Sequence, residues 1–152
     1  MSEGPTTQAG FTLVEMVMTL VLVGIVSVFV LPRVLDLTMW QLRAHGDEMV
    51  AQTLAMGRMA LAQRRAIVAT IAPTGVTFAY QTSGTVVATV TCPATITSCI
   101  AEAATRTVTF NSGNSGSAVT STGAALTVTV SSGSYSQAYQ IESETGLIYP
   151  LP

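Results

Sequence analysis

The 152-residue chain contains no lysine and only one histidine, and just 9% of its residues are charged. Its eight acidic residues and six arginines give a formal net charge of −2, which offers polyanions no basic surface. Acid–base catalysis by lysine or histidine has almost no candidate residues, and the chain also lacks a glycine-rich phosphate loop and a nucleophile elbow. These absences predict a protein that is not an enzyme, uses no cofactor and binds no nucleic acid.

One long hydrophobic run stands out near the N-terminus. Residues 11–31 are almost entirely apolar, which is long enough for a helix to cross a bilayer and too long for the apolar region of a secretory signal peptide. The exception is Glu15, since a carboxylate in hydrocarbon costs about 2.5–3.5 kcal/mol unless a partner of opposite sign offsets it. Cleavage between Gly10 and Phe11 would create that partner, because the new α-amino group of Phe11 lies at the membrane depth of Glu15 in a neighbouring copy.

The run Gly10-Phe11-Thr12-Leu13-Val14-Glu15-Met16 resembles the processing site of type IV pilins and type II secretion pseudopilins. The resemblance implies that a prepilin peptidase cuts after Gly10 on the cytoplasmic side and methylates the new N-terminal Phe11. It also implies that Glu15 aligns subunits in a filament. The implied partners are other pilin or pseudopilin subunits, the prepilin peptidase and methyltransferase, the inner-membrane assembly platform and the lipid bilayer.

Two further positions extend the resemblance, and one region departs from it. Gly24 and Pro32 match residues at which helices of this family loosen during assembly. Family leaders usually carry Lys or Arg, which holds the N-terminus in the cytoplasm, whereas residues 1–10 carry neither and contain Glu3. The start codon and the orientation therefore stay open. A plain membrane anchor is the alternative interpretation, but it gives no reason for Glu15 inside the run.

Residues 33–66 predict an amphipathic continuation of this helix. Apolar residues recur there every seven positions and form one stripe: Leu35, Leu42, Met49 and Met56. An unbroken helix over residues 12–65 would be about 80 Å long. Pro32 removes a backbone hydrogen bond, and Gly46 and Gly57 each cost about 1 kcal/mol relative to alanine, so we expect bends at these residues.

After Arg65 the pattern changes to β-strands, many of which alternate threonine with valine as in a sheet with one buried face. Two runs flank Pro73-Thr74 and predict a hairpin. The predicted strands are 66–71, 75–80, 85–91, 105–110, 124–130, 137–141 and 147–149. The segment between Phe110 and Ala124 is rich in Asn, Ser and Gly, and we expect a flexible surface loop there rather than a binding loop.

These elements predict an α+β fold, in which a long N-terminal helix packs on a small antiparallel β-sheet domain. The expected organisation is a leader peptide at 1–10, a transmembrane and filament-core helix at 11–32, an amphipathic helix at 33–66 and a β-rich periplasmic domain at 67–152.

The only two cysteines, Cys92 and Cys99, are predicted to form a disulfide, because an exported domain meets an oxidising compartment. A metal site would need more ligands nearby, and His45 is distant in sequence and expected on an exposed helix face. Glu142 and Glu144 could hold calcium, as in some pseudopilins, but two carboxylates are few for an ion that takes six to eight oxygen ligands.

The arginine-bearing helix end followed by a hairpin resembles the H-type and FimT-like minor pilins and pseudopilins, and MSHA-type minor pilins. This implies a minor subunit held by a single pass in the bacterial inner membrane, with its globular domain in the periplasm, before it joins a filament. Some FimT-like proteins bind DNA through a basic C-terminal region, whereas Arg106 is the only cation here after Arg65. A major shaft pilin and a membrane-tethered periplasmic binding module that does not polymerise remain open, as does the machine served: adhesion pilus, twitching pilus or secretion pseudopilus.

Overall fold

A computed structural model describes residues 11–34 and 37–152 of the chain. The chain forms two compact units, Met1–Asp36 and Leu37–Pro152. The described residues contain two α-helices and two antiparallel sheets, which confirms the predicted α+β class. The predicted leader at 1–10 lies outside these residues, and so do Leu35 and Asp36, at which the two helices would have to join into one.

Within the described residues of the first unit, helix α1 spans Leu13–Val34. Thr12 caps its N-terminus: the Glu15 backbone N–H donates to the Thr12 hydroxyl at 3.3 Å, and the Met16 N–H donates to the Thr12 carbonyl at 3.1 Å. Threonine is a favourable N-cap because its oxygen satisfies a helix-end N–H that has no backbone partner. Across the described residues, no helix combines the length and the hydropathy that a bilayer crossing requires, so the predicted transmembrane span is not confirmed.

The second unit begins with helix α2, Leu37–Ala62. The predicted apolar stripe is confirmed at Leu42, Met49 and Met56, which are all buried. The helix continues through Gly46 and Gly57 without a break, and the bends expected at these residues stay a prediction. Gly46 serves close packing, because a Cβ at this position would collide with the Tyr139 hydroxyl.

All of the predicted strands are present, together with one short additional strand. The predicted hairpin is confirmed, because the first two strands pair antiparallel and Ala72 lies opposite Gly75 across the Pro73-Thr74 turn. In chain order the strands are β1 Ile67–Ala72, β2 Gly75–Tyr80, β3 Val86–Thr91, β4 Arg106–Phe110, β5 Val119–Thr120, β6 Leu126–Ser132, β7 Tyr135–Ile141 and β8 Ile148–Pro150.

The strands form two sheets, where the sequence suggested one small sheet domain. The first has the order β3-β2-β1-β4-β5, and the second has the order β6-β7-β8. Helix α2 packs against strands of both sheets, so one core serves the whole unit. Strand β1 illustrates the alternation that this requires, since Ile67, Ala69 and Ile71 are buried and the residues between them are half-buried.

The segment between β4 and β6 is more ordered than the flexible surface loop that was expected. It contains a short 3₁₀ turn, Ser112–Asn114, and strand β5. Its first residue, Asn111, is only 5% exposed. The Asn111 side-chain amide donates to the Ala60 carbonyl at 3.0 Å, and this carbonyl in the last turn of α2 also accepts the Arg65 N–H at 3.1 Å. This bond fixes the start of the segment against the end of α2.

Candidate functional site

The described part of the chain begins with the N-terminal segment in which the sequence predicts processing and assembly residues. Phe11 is 80% exposed and directly precedes the Thr12 cap. Glu15 lies in the first turn of α1 and is exposed. The N-terminus of a helix carries partial positive charge, so a carboxylate in this turn is favourable and a positive amine beside it needs compensation. The predicted cleavage residue Gly10 lies outside the described residues.

Helix α1 presents apolar side chains in every direction. From residue 11 to residue 28, thirteen large apolar side chains are more than half exposed: Phe11, Leu13, Val14, Met16, Val17, Met18, Leu20, Val21, Leu22, Val23, Ile25, Val26 and Val28. A surface helix normally has one apolar stripe and one polar face. A helix that is apolar all round is stable only where an apolar environment covers it, such as lipid or other helices.

Gly24 and Pro32, the predicted points of helix loosening, both lie within α1. A Cβ at Gly24 would have no atom within 4 Å, so no close packing inside the unit requires a glycine here. Glycine weakens a helix interior by about 1 kcal/mol relative to alanine, and proline removes one backbone hydrogen bond. The predicted loosening between these residues stays a prediction.

The predicted disulfide between Cys92 and Cys99 is present. The expectation for His45 was wrong, because this residue is only 4% exposed and its Nε2 atom lies 3.3 Å from Cys99 Sγ. Burial lowers the pKa of His45, while the charge of Glu48 and a hydrogen bond with the Thr91 backbone act in the opposite direction. Burial therefore disfavours the charged imidazolium form of His45.

A signal for the position of His45 was present in the sequence. His45 lies three residues after Leu42 and four before Met49, which places it on the buried stripe of α2. Distance along the chain was the wrong criterion, because α2 packs against β3 and Cys92 directly follows that strand.

The acidic pair proposed for calcium has another role in part. Glu142 accepts a hydrogen bond from the Tyr149 hydroxyl at 2.5 Å and one from Gln140 Nε2 at 3.3 Å. The bond from Tyr149 to Glu142 raises the pKa of Tyr149, because it favours the protonated hydroxyl. Glu144 contributes its backbone carbonyl, which accepts the Ala118 N–H at 2.7 Å. The Glu142 carboxylate is thus engaged within the fold, whereas Glu144 contributes only its backbone and is exposed.

A cleft between α2 and the second sheet is the clearest alternative binding surface. Its lining residues include Arg43, Asp47, Tyr135, Gln137 and Tyr139. The walls carry one charge of each sign and two phenol rings, so they select neither anions nor cations. The cleft therefore indicates no particular class of ligand, and it is weaker evidence of function than the N-terminal segment is.

Comparison with known proteins gives one finding for this segment. The family model described as a prokaryotic N-terminal methylation motif matches residues 5–31. No curated protein and no solved structure matches the chain. The matched residues include Phe11, Glu15 and Gly24, which were singled out above, and they stop just before Pro32. The match supports a type IV pilin-like precursor that is processed by a prepilin peptidase and assembles with other pilin subunits.

Proposed function

We propose that this protein is a structural subunit of a type IV pilus or a type II secretion pseudopilus. A prepilin peptidase cleaves it after Gly10 and methylates Phe11, and the mature chain assembles through α1. The observation that carries the proposal is the methylation motif at residues 5–31, which coincides with a helix that exposes apolar side chains on all sides. The role is structural rather than enzymatic.

Cleavage before Phe11 would place a new positive charge next to the capped N-terminus of α1. Once the bond before Phe11 is cut, a positive amine directly precedes the Thr12 cap, where the helix dipole is also positive. A carboxylate is needed close to this amine, and Glu15 of an adjacent subunit supplies it in the filament. Because the surroundings are apolar, each charge is costly alone and the pair forms only when two subunits meet in register.

The exposed apolar surface of α1 fits two environments that the helix would meet in turn, the membrane and the filament. We infer that the inner membrane covers this surface before assembly, with the second unit in the periplasm, and that neighbouring helices cover it afterwards. Both environments satisfy an all-apolar helix, so the transfer from lipid to filament exchanges one apolar contact for another.

Within the filament we propose a minor role in priming assembly. Support comes from the resemblance of the helix end and hairpin to the H-type and FimT-like group, as α2 ends at Ala62 and is followed at once by the β1–β2 hairpin. A major shaft pilin is the alternative, and abundance in sheared filaments distinguishes the two. A membrane-tethered binding module that does not polymerise is the alternative from a different class.

Mass spectrometry of the protein in its working form tests the proposal. We expect a mature N-terminus at Phe11 that carries one added methyl group. A Glu15→Ala variant should be cleaved and remain in the membrane but enter filaments poorly, whereas Ser27→Ala, a matched change on the same helix, should assemble normally. A working form that retains residues 1–10, or normal filament entry by Glu15→Ala, would overturn the subunit proposal and favour the tethered module.

A further inference from the structure

Three side chains from two distant parts of the chain converge next to α2. His45 Nε2, Cys92 Sγ and Cys99 Sγ all lie within 4.8 Å of one another, and 3.3 Å separates Nε2 from Cys99 Sγ. Cys99 and His45 are buried, whereas Cys92 is only half-buried and borders solvent. The group is therefore accessible from one side, through Cys92.

The backbone at both cysteines is held by contacts that do not involve the disulfide. The Cys92 N–H donates to the Thr74 carbonyl at 3.0 Å, and the Cys99 N–H donates to the Pro73 carbonyl at 3.1 Å. The Cys99 carbonyl accepts the Ser131 N–H at 2.8 Å. Because these bonds anchor the two cysteines to the β1–β2 turn and to β6, the sulfur atoms stay close to each other and to His45 when the S–S bond is broken.

We propose that the reduced protein binds one Zn²⁺ ion through the thiolates of Cys92 and Cys99 and through His45 Nε2. Zinc prefers thiolate and imidazole ligands, at about 2.3 Å and 2.0–2.1 Å respectively. At a tetrahedral ion these bond lengths separate ligand atoms by roughly 3.5–3.8 Å. The observed 3.3 Å between Nε2 and Cys99 Sγ is close to this spacing, and the two sulfur atoms must separate from their bonded distance of 2.03 Å.

The disulfide form and the zinc-bound form of the protein exclude each other, because the same two sulfur atoms take part in both. A dithiol reductant donates two electrons and two protons, the S–S bond breaks to give two thiols, and the reductant leaves as its own disulfide. Zinc then displaces both thiol protons. Two thiolates and one Zn²⁺ have no net charge, which suits a site where Cys99 and His45 are buried.

Titration of the full-length chain with Co²⁺ in detergent micelles tests the proposal. The protein is reduced anaerobically with a dithiol, freed of the reductant, and titrated with Co²⁺ and then Zn²⁺. We expect thiolate-to-cobalt charge transfer and the visible bands of a tetrahedral ion, which saturate at one equivalent and are bleached by Zn²⁺. The oxidised protein should show neither feature, because a disulfide offers no thiolate.

Variants distinguish metal binding by the three proposed ligands from a general affinity of the protein for cations. Reduced His45→Gln should bind at least about tenfold more weakly, while Glu48→Gln, which removes a nearby charge but no ligand, should bind as the wild type does. Reduced Cys92→Ser keeps Cys99 and His45 and should lose the charge-transfer intensity of one thiolate. Far-ultraviolet circular dichroism establishes that each variant is folded.

Three results would overturn the proposal. The first is a reduced wild-type protein without a thiolate-to-cobalt band, and the second is a His45→Gln variant with unchanged affinity. The third is a chain that unfolds on reduction and does not refold with Zn²⁺. A reduced chain that unfolds and regains its structure only with Zn²⁺ would support the proposal, since metal binding is then coupled to folding.

Discussion

The Tyr139 hydroxyl of β7 packs against α2 at Gly46, so closely that no side chain fits between them. This contact joins the helix to the second sheet, while other residues of α2 pack on the first. A glycine that weakens an isolated helix therefore permits the approach that closes the core.

Substitution of Gly46 by alanine tests this contact. Alanine is intrinsically better in a helix by about 1 kcal/mol, but here the new Cβ collides with Tyr139. We expect the collision to dominate and to lower the free energy of unfolding by about 1–3 kcal/mol. Urea unfolding followed by near-ultraviolet circular dichroism measures the change.

Gly57 of the same helix provides the matched control. The nearest atom to a Cβ at Gly57 is Phe110 Cδ1 at 3.6 Å, an ordinary contact. Gly57→Ala should therefore stabilise the protein by about 0.5–1 kcal/mol. Equal effects of the two substitutions, in either direction, would contradict the packing role of Gly46.

A second prediction concerns the bond between Asn111 and the end of α2. Asn111→Ala removes the donor to the Ala60 carbonyl, and alanine is also strained at the φ of +53° that Asn111 adopts. We expect a loss of about 1–3 kcal/mol in the free energy of unfolding. Asn111→Gly also lacks this hydrogen bond, but glycine adopts a positive φ without strain, so its loss of stability should be smaller. Hydrogen exchange at the last turn of α2 should be faster in both variants.

The pKa of Tyr139 predicts how stability depends on alkaline pH. Burial, together with the charges of Tyr135 and Asp47, raises the pKa of Tyr139 above 10.0. The folded state therefore keeps the proton at a pH where the unfolded chain loses it, and stability should fall as the pH rises above about 10. Tyr139→Phe should reduce this fall, and denaturant midpoints between pH 8 and 11 measure it. An unchanged alkaline fall in the phenylalanine variant would refute the assignment.

A fourth prediction concerns the disulfide itself. Joint substitution of Cys92 and Cys99 by serine opens a loop with a sequence separation of 7. We expect a loss of about 2–3 kcal/mol, mainly because the unfolded chain gains freedom. The fold should persist, because backbone hydrogen bonds to Pro73 and Thr74 hold both positions. Thermal unfolding with and without a reductant measures the loss, and a reductant should have no effect on the serine variant.

Much of the local structure could be predicted because local patterns report local geometry. The Pro73-Thr74 hairpin, the apolar stripe through Leu42 and Met49, and the strands all followed from periodicity and turn residues. The disulfide followed from the count of cysteines and the expected compartment. Asn111 was missed because composition alone marked its segment as a loop and gave no sign of a bond to Ala60.

The α+β class and the presence of an N-terminal methylation motif could be predicted from the residues alone, because helix period, strand period and such a motif are properties of neighbouring residues. The division of the strands into two sheets, the contact between Gly46 and Tyr139, and the position of His45 beside Cys99 are visible only in the folded chain. These relationships join residues that are far apart in sequence. Packing of α2 against both sheets sets them, and no local pattern encodes that packing.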